Sequence, residues 1–126
     1  MEIVNRNASR PFTTKDRSSI RSLLDRTNSS ATHQSLAEAT VMPGRATQPH
    51  RHDASEEIYY VLVGTGRVAV GDEEQDVKPF DAILIPPGTP HSVANTGAEP
   101  LVFLCCCAPP YSHDDTTLEE EPPADE

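Results

Sequence analysis

The chain has 126 residues, of which 36% are hydrophobic and 24% charged, a balance that favours one folded domain over a disordered chain. Its formal net charge of -10 argues against nucleic acid as a partner, because phosphate binding needs a basic surface. No apolar run approaches the roughly 20 residues of a membrane helix, and the N-terminus lacks the pattern of a signal peptide. We therefore expect a soluble, cytoplasmic protein with no membrane partner.

The first 33 residues are expected to form an arm with one short helix ahead of the main fold. Ile20, Leu23 and Leu24 have the spacing of a short amphipathic helix, which would end near Arg26. The polar residues that follow predict a loop that leads into the next segment.

From residue 34 onward, short apolar segments alternate with turns rich in glycine and proline, a pattern typical of β-strands with tight connections. Short strands at this spacing predict an all-β fold, either an antiparallel sandwich or a barrel. We assign this unit to residues 34–110. The predicted strands cover residues 35–42, 58–63, 67–70, 75–77, 82–85, 91–95 and 101–107.

The strand that starts at Glu57 is apolar on both faces. Tyr59 and Val61 lie on the face of Glu57, and Ile58 and Tyr60 lie on the other face. An antiparallel strand with one face in water would instead alternate apolar and polar residues. The outer face must therefore be covered, either by the N-terminal segment or by a second subunit. We favour a subunit interface and expect a homodimer.

Four potential metal ligands stand out in this part of the chain. His50 and His52 are two residues apart, so on an extended strand they project to the same side, roughly 7 Å apart. Glu57 begins the next predicted strand, whereas His91 belongs to a distant strand that only a closed sheet would bring close. Imidazole and carboxylate groups are ligands of divalent transition metals, and four of them leave two octahedral positions open.

These residues carry a resemblance to the cupins. The first cupin motif, Gly-x5-His-x-His-x3–4-Glu-x6-Gly, resembles the series Gly44, His50, His52, Glu57 and Gly64. The six-residue gap before Gly64 selects Glu57 over Glu56 as the glutamate of the motif. The second motif, Gly-x5-Pro-x-Gly-x2-His-x3-Asn, resembles the series Pro86, Gly88, His91 and Asn95.

The second motif departs from the family pattern at Phe80, which stands where the motif has its first glycine. We expect this departure to alter a turn and not the ligand set. The resemblance covers roughly residues 35–108. It implies a double-stranded β-helix, the jelly-roll barrel, with a metal ion bound inside near one mouth by His50, His52, Glu57 and His91.

The resemblance implies metal chemistry on a small organic molecule, but it does not name the reaction, because one fold supports many functions. Fe, Mn, Ni, Co, Cu and Zn all accept this ligand set. The open positions permit O2 chemistry or Lewis-acid chemistry. We favour a dioxygenase-type reaction slightly over an isomerase or lyase reaction. The alternative is a non-catalytic module that binds a metal or a small ligand.

Strand parity predicts which other side chains face the metal. The pocket is predicted to be small, mostly apolar and lined by Gln48, Tyr59, Val93 and Phe103. Glu57 and Tyr59 are the candidate catalytic residues, and core packing is the alternative role of Tyr59. Strand alternation does not clearly direct any arginine side chain into this pocket. This disfavours a sugar phosphate as substrate, since phosphate recognition uses basic groups.

Three adjacent cysteines occupy positions 105–107 of the last predicted strand. Neighbouring strand residues point to opposite faces, so the three thiols cannot form one metal clamp, and only Cys105 and Cys107 share a face. The favoured interpretation is that they act as small apolar residues of a buried strand. A redox pair and a thiol close to the metal remain the alternatives.

The C-terminal segment 111–126 is expected to be an acidic, solvated tail. After Ser112 it contains seven Asp and Glu residues and no Lys or Arg. Two successive prolines, Pro109 and Pro110, favour an extended exit from the last strand. We expect this exit to cross the barrel rim, with Tyr111 packed near the mouth.

Overall fold

The structure, a computed structural model, describes residues 1–119. The remainder of the predicted acidic tail, residues 120–126, lies outside the described residues. Within the described part, no helix is long and apolar enough to cross a membrane. A single 3-10 turn at Arg6–Ala8 precedes the strands. The strands are β1 (Phe12–Thr13), β2 (Ser19–Leu24), β3 (Ser35–Val41), β4 (His50–His52), β5 (Glu56–Val63), β6 (Gly66–Val70), β7 (Glu73–Val77), β8 (Ala82–Ile85), β9 (His91–Asn95), β10 (Leu101–Ala108) and β11 (Thr116–Leu118).

The strands form two antiparallel sheets with the apolar core between them. The first sheet has the order β1-β2-β3-β10-β5-β8, and the second has the order β11-β4-β9-β6-β7. This arrangement confirms the predicted all-β jelly-roll fold. Every predicted strand is present, and its limits differ from the observed ones by at most two residues.

The core is built from the inward-facing positions of both sheets. Its buried members are Ala39, Val41, Tyr59, Val61, Val68, Val77, Ile85, Val93, Leu101, Phe103 and Cys105. Burying one such valine, leucine or phenylalanine side chain stabilises the fold by about 1.5–3 kcal/mol. The period-two pattern of the strands thus places their apolar side chains inside and fixes the register of each strand.

The helix predicted to end near Arg26 is wrong, because Ser19–Leu24 forms strand β2 and pairs antiparallel with β3. Pairing with β3 gives this segment backbone hydrogen bonds that a marginal helical pattern of three apolar residues does not outweigh. A register shift between Ser22 and Leu24 interrupts the alternation of the strand. This irregularity gave the apolar residues a spacing that resembled a helix.

Both segments predicted to flank the barrel contribute strands to its sheets. β1 and β2 extend the first sheet beyond β3, and β11 pairs with β4 at the edge of the second sheet. The expectation of a solvated tail is therefore wrong for residues 116–118. Thr116 is buried, and β11 covers an edge of β4 that would otherwise expose unpaired backbone groups.

The outer face of the first sheet is apolar, as the sequence of β5 predicts. Ile58, Tyr60 and Leu84 are 43%, 37% and 58% exposed, whereas Tyr59 on the inner face of the same strand is buried. Strand pairing places Ile58 beside Leu84 on one side and beside Cys106 on the other. The result is a continuous apolar surface over three neighbouring strands.

Phe80 precedes β8 and has a φ of 77°, in the left-handed region that favours glycine. A residue with a Cβ is strained in this conformation by about 1–2 kcal/mol. The backbone N–H of Phe80 donates a hydrogen bond of 2.8 Å to the carbonyl of Val61, and the ring is 74% exposed. Phe80 thus adopts the backbone conformation that the glycine of the motif would favour, and the four candidate ligands still come together.

Candidate metal centre

The four predicted ligands converge from three strands in the two sheets. His50 and His52 lie on β4, and His91 begins β9, where strand pairing places it directly opposite His50. Glu57 projects from β5 in the other sheet. All four residues are at most 4% exposed. Closure of the two sheets over each other therefore brings the distant His91 to the other ligands, as the barrel hypothesis requires.

The donor atoms of this group have the mutual separations of ligands on one ion. One donor atom from each residue lies within 4.8 Å of all the others. Oε1 of Glu57 is 3.2 Å from Nε2 of His52 and 3.3 Å from Nε2 of His91. With metal–ligand bonds of about 2.0–2.2 Å, adjacent donors on one ion are about 3 Å apart. The group is thus already close to the geometry that coordination requires.

His50 and His91 are each oriented by a contact between Nδ1 and the backbone carbonyl oxygen two residues earlier in the chain. Nδ1 of His50 lies 2.9 Å from the carbonyl oxygen of Gln48, and Nδ1 of His91 lies 2.9 Å from that of Thr89. A carbonyl only accepts hydrogen bonds, so each Nδ1 carries the hydrogen and each Nε2 presents a lone pair. This tautomer is the one that binds a metal through Nε2.

His52 reaches the same tautomer through a side chain from the C-terminal segment. Its Nδ1 lies 3.0 Å from Oγ1 of Thr116, and this hydroxyl donates its own hydrogen to the carbonyl of Ser112 at 2.9 Å. The hydroxyl oxygen therefore accepts from Nδ1 of His52, which leaves Nε2 of His52 as a bare donor atom. Thr116 is a functional neighbour that the sequence analysis did not identify, because it lies in the segment expected to be solvated.

Two buried atoms of the group have no hydrogen-bond partner among the described residues: Oε1 of Glu57 and Nε2 of His91. They lie 3.3 Å apart with lone pairs directed at each other. Leaving buried polar atoms without a partner costs about 1–3 kcal/mol each, more for a charged group. A divalent cation between these atoms would satisfy both, so the residues present fit a metal ion.

Glu57 is held as an anion. Burial raises the pKa of Glu57, but hydrogen bonds from His52 and His91, which form in the metal-free protein when their Nε2 atoms carry hydrogens, and the bond from the Cys107 thiol lower it more, to about 2. The thiol of Cys107 donates to Oε2 of Glu57 at 3.0 Å, which leaves Oε1 for the histidine side. The carboxylate is therefore charged and correctly oriented for a cation.

His50 is favoured in its neutral form. Burial lowers the pKa of His50, as does repulsion from His91 whenever that ring is protonated, and the nearby Asp16 carboxylate only partly offsets these effects. A neutral imidazole is the form that coordinates a metal ion. The electrostatics of His50 thus agree with the tautomer that its hydrogen bond to Gln48 selects.

A cavity of about 60 Å³ lies beside the donor atoms, between the first sheet and the segments that cross the barrel rim. Tyr59 and Phe103 line it, with their ring centroids 4.6 Å apart. Val93 is buried in the core instead, and Gln48 is half-buried on the approach to β4. Strand parity predicted that Gln48 and Val93 line the pocket, but neither lines this cavity. Gln48 lies before the start of β4, so the alternation of that strand does not fix the direction of its side chain.

Tyr59 serves both the core and the cavity wall. It is 5% exposed, and its ring lies edge-on to that of His91, with centroids 5.9 Å apart. Burial raises the pKa of Tyr59 well above its ordinary value, so its hydroxyl stays protonated. The cavity also contacts Cys105 and Cys107, which share the inner face of β10 as the alternation predicts.

Segments from both ends of the chain complete the mouth of the site. Tyr111 lines the cavity with its ring edge-on to that of His52, at a centroid distance of 5.8 Å. Asp16, in the connection between β1 and β2, lines the cavity on the side of His50. Asp16 had no marker in the sequence beyond being one of three acidic residues in the basic stretch 1–26.

The two sheets and this donor group define a class of protein, a jelly-roll barrel with a buried group of three histidines and one glutamate that can hold a metal ion. Comparison with known families agrees. The model of the cupin domain matches residues 37–107, more than half of the chain, and the chain belongs to the cupin family.

The chain is also similar to individual proteins. It is 50% identical over 96 residues to the uncharacterized protein MJ1618 of Methanocaldococcus jannaschii, covering 76% of this chain and 77% of that protein. It is 33% identical over 69 residues to an oxalate-binding protein of Thermotoga maritima, covering 55% of this chain and 57% of that protein. The crystal structure of a predicted oxalate decarboxylase from Thermotoga maritima superposes with a TM-score of 0.75 at 25% identity, covering 85% of this chain and 98% of that one.

Proposed function

We propose that the protein is a metal-dependent enzyme that acts on a small carboxylic acid. The ion would be held by His50, His52, Glu57 and His91. The observation that carries this proposal is the facing pair of unpartnered buried atoms, Oε1 of Glu57 and Nε2 of His91, beside a cavity. An anionic carboxylate buried against nitrogen lone pairs requires a cation to be stable.

Manganese or iron is the ion we propose. The mixed nitrogen and oxygen donors accept Fe, Mn, Ni, Co, Cu or Zn, but zinc in proteins prefers tetrahedral sites. Four protein donors leave room for two more on a six-coordinate ion. When bound, such an ion acts as a Lewis acid on the oxygen atoms of the molecule it holds.

The size and lining of the cavity support a small acid as the substrate. A single water needs about 10–15 Å³ on the same scale, so a cavity of about 60 Å³ accommodates only a few heavy atoms. Of the described residues that line it, none is Lys or Arg, which argues against a phosphorylated sugar. The sequence match and the structure match from Thermotoga maritima, whose names both refer to oxalate, add support for a small carboxylic acid.

The proposed reaction is of the lyase type, the loss of CO2 from a bound carboxylic acid, as in the name of the predicted decarboxylase. The chain would contribute a fixed anion at Glu57, three oriented imidazoles and an apolar wall at Tyr59 that excludes water. The dioxygenase reaction favoured from the sequence is the second enzymatic candidate. The alternative to an enzyme is a module that binds a small acid without catalysis. The name of the oxalate-binding relative supports this alternative.

Elemental analysis and a turnover assay test this proposal together. The protein is purified without added metal, analysed for bound ions, and assayed for CO2 release and O2 uptake on a panel of acids with two to four carbons. We expect about one manganese or iron per chain and CO2 release without net O2 consumption. Stoichiometric O2 uptake would instead favour the dioxygenase. Tight acid binding with no turnover would favour the binding module.

Two adjacent glutamates provide a matched pair of variants. Glu57→Gln should lose metal binding and turnover, because a neutral amide does not replace the buried anion. Glu56→Gln, one residue earlier on β5 and exposed, should retain both. If Glu57→Gln bound the ion as tightly as the unmodified protein, the assignment of Glu57 as a ligand would be wrong.

A homodimer is the quaternary structure that we propose. The outer apolar face, defined as Ile58, Tyr60, Leu84, Leu104 and Cys106, carries no charged residue at its centre. Exposed apolar patches of this kind mark protein interfaces. A second copy is the proposed occupant, since two copies of one apolar face can pack against each other about a twofold axis.

Light scattering after size-exclusion chromatography measures this state directly. Ile58→Lys should convert the dimer to a monomer, because it places a charge in the centre of the outer apolar face. Ile3→Lys is the control, since Ile3 is 81% exposed and is not one of the residues that define that face. A monomeric unmodified protein at micromolar concentration would contradict the proposal.

A further inference from the structure

Asp16 brings a second carboxylate to the metal centre from outside the four-residue group. Its Oδ2 lies 3.3 Å from Nε2 of His50, the atom that His50 would offer to a metal ion. The Asp16 side chain is only 13% exposed, and it lines the cavity. Asp16 is therefore close enough to contact a small molecule held at the open positions beside His50.

The two oxygens of Asp16 have different environments. Oδ1 accepts hydrogen bonds from the backbone N–H of Ser18 at 2.9 Å, from the Ser18 hydroxyl at 2.6 Å and from the hydroxyl of Thr14. Three donors saturate Oδ1 and hold the carboxylate plane. Among the described residues, Oδ2 contacts Nε2 of His50. This nitrogen has no hydrogen to donate in the tautomer that the Gln48 carbonyl selects. Within residues 1–119, Oδ2 is thus an acceptor without a donor, on a residue that lines the cavity.

The loop that carries Asp16 is fixed at both of its sides. The carbonyl of Asp16 accepts from the backbone N–H of Gln48 at 2.7 Å, just before β4. The neighbouring Lys15 donates through Nζ to the carbonyls of His113 and Thr116, each at 3.0 Å. These bonds connect the loop to both segments that orient the histidines, so Oδ2 is a preorganised part of the site.

A preorganised anionic acceptor selects between ligands by what they present to it. A hydroxyl donates to a carboxylate, and such charge-assisted bonds are among the stronger ones in proteins. A second carboxylate on the ligand would instead bring two negative charges together in a buried cavity, where repulsion is poorly screened. A site built to bond a substrate hydroxyl discriminates strongly against an analogue without it.

We propose that Asp16 is a specificity-determining residue that selects 2-hydroxy acids over dicarboxylates such as oxalate. The inference rests on the proposed function, since it requires a metal ion that holds the carboxylate of the acid. The acid would bind the ion through its carboxylate and present its hydroxyl to Oδ2 of Asp16. The relatives named for oxalate would then differ from this chain in substrate.

Ligand titrations on metal-loaded protein test the selection without an activity assay. Manganese affinity is first measured for the unmodified protein, Asp16→Asn and Asp72→Asn, an exposed control in the turn between β6 and β7. Glycolate and oxalate are then titrated calorimetrically into each loaded protein. In the unmodified protein and in Asp72→Asn, glycolate should bind more tightly than oxalate. In Asp16→Asn, glycolate should bind about tenfold more weakly, the loss typical of one buried hydrogen bond to a charge. Oxalate should bind about tenfold more tightly, because the repulsion between two carboxylates is removed.

Each other outcome overturns a defined part of the proposal. If all three proteins bind manganese and share one glycolate-to-oxalate ratio, the selection by Asp16 is wrong and the metal site stands. If Asp16→Asn loses manganese affinity while Asp72→Asn keeps it, Asp16 is a metal ligand and not a selector. If none binds a divalent ion, both the proposed function and this inference fail. Should Asp16→Asn unfold, Asp16→Ser keeps an acceptor toward Ser18 and is scored by the same ratio.

Discussion

The thiol of Cys107 donates a 3.0 Å hydrogen bond to Oε2 of Glu57, while the other carboxylate oxygen faces His52 and His91. Burial and the charge of Glu57 raise the pKa of Cys107, so the sulfur keeps its hydrogen and acts as a donor. For Cys107, this contact fits the alternative role of a thiol close to the metal better than the favoured role of a small apolar residue. Cys107 therefore helps to orient the carboxylate.

Removing this donor should weaken the site. Cys107→Ala leaves Oε2 of Glu57 buried without its partner, so we expect a loss of about 1–3 kcal/mol in the free energy of unfolding. Manganese affinity should fall by about tenfold, as for other groups that orient a metal ligand. Cys107→Ser keeps a donor and should recover most of both. Cys106→Ala, on the face of β10 that points away from Glu57, is the control and should leave manganese affinity unchanged.

Acid should lower the free energy of unfolding of the metal-free protein over two successive pH ranges. The pKa of His50 is lowered from its ordinary value of 6.5, so the unfolded chain takes up the proton first and stability begins to fall below about that pH. The pKa of Glu57 is lowered from 4.5 to about 2, so its contribution is present above pH 4.5 and is lost as the pH falls toward 2. This second stage amounts to about 3 kcal/mol.

Urea unfolding at a series of pH values measures these stages. In Glu57→Gln the stage between pH 4.5 and 2 should disappear, because the amide does not titrate. Glu56→Gln should keep it. Unfolding free energies that stayed constant from pH 5 to pH 2 in the unmodified protein would contradict the assignment of an ionised, stabilised Glu57.

The backbone strain at Phe80 can be relieved. Its φ of 77° favours glycine, and its exposed ring contributes little burial. Phe80→Gly should therefore stabilise the protein by about 0.5–1 kcal/mol, the relief of strain less the added freedom of the unfolded chain. Phe80→Ala removes the ring but keeps the strain and should give no gain. Thermal unfolding of the two variants separates strain from side-chain loss, and equal stability of both would show that φ is not the cause.

Loss of the Thr116 hydroxyl should impair the metal site without touching a ligand. In Thr116→Val, Nδ1 of His52 loses its acceptor, so the tautomer with a bare Nε2 is no longer selected. We expect manganese affinity to fall by about 10–100-fold. Thr117→Val, the next residue on β11, is the matched control. A competition titration with a chelator measures both, and equal affinities would mean that His52 is oriented by other contacts.

Much of the site could be predicted because its signals are local. The spacing of His50 and His52 needs only an extended strand, and the gap from Glu57 to Gly64 distinguishes this glutamate from Glu56. The alternation in β10 likewise separated Cys106 from its two neighbours. In each case, adjacent residues and a known period decide on which face a side chain lies.

Other parts of the site depend on contacts between distant segments. β2 is a strand because β3 offers it an edge, although its own apolar spacing resembled a helix. Thr116 orients His52 from 64 residues away. Asp16 approaches His50 only because Lys15 and Gln48 tie its loop to the barrel. No local pattern encodes these approaches, since they result from the closure of the whole barrel.

The amino-acid sequence alone thus determined the seven strands predicted from residue 35 onward and the four candidate ligands, because strand period and motif spacing are properties of short segments. The tertiary structure decided the tautomers of the histidines, the thiol of Cys107 that donates to Glu57, and the position of Asp16 beside His50. These depend on distances of about 3 Å between residues that are far apart in the chain. Only the packing of the two sheets and of the two terminal segments sets such distances.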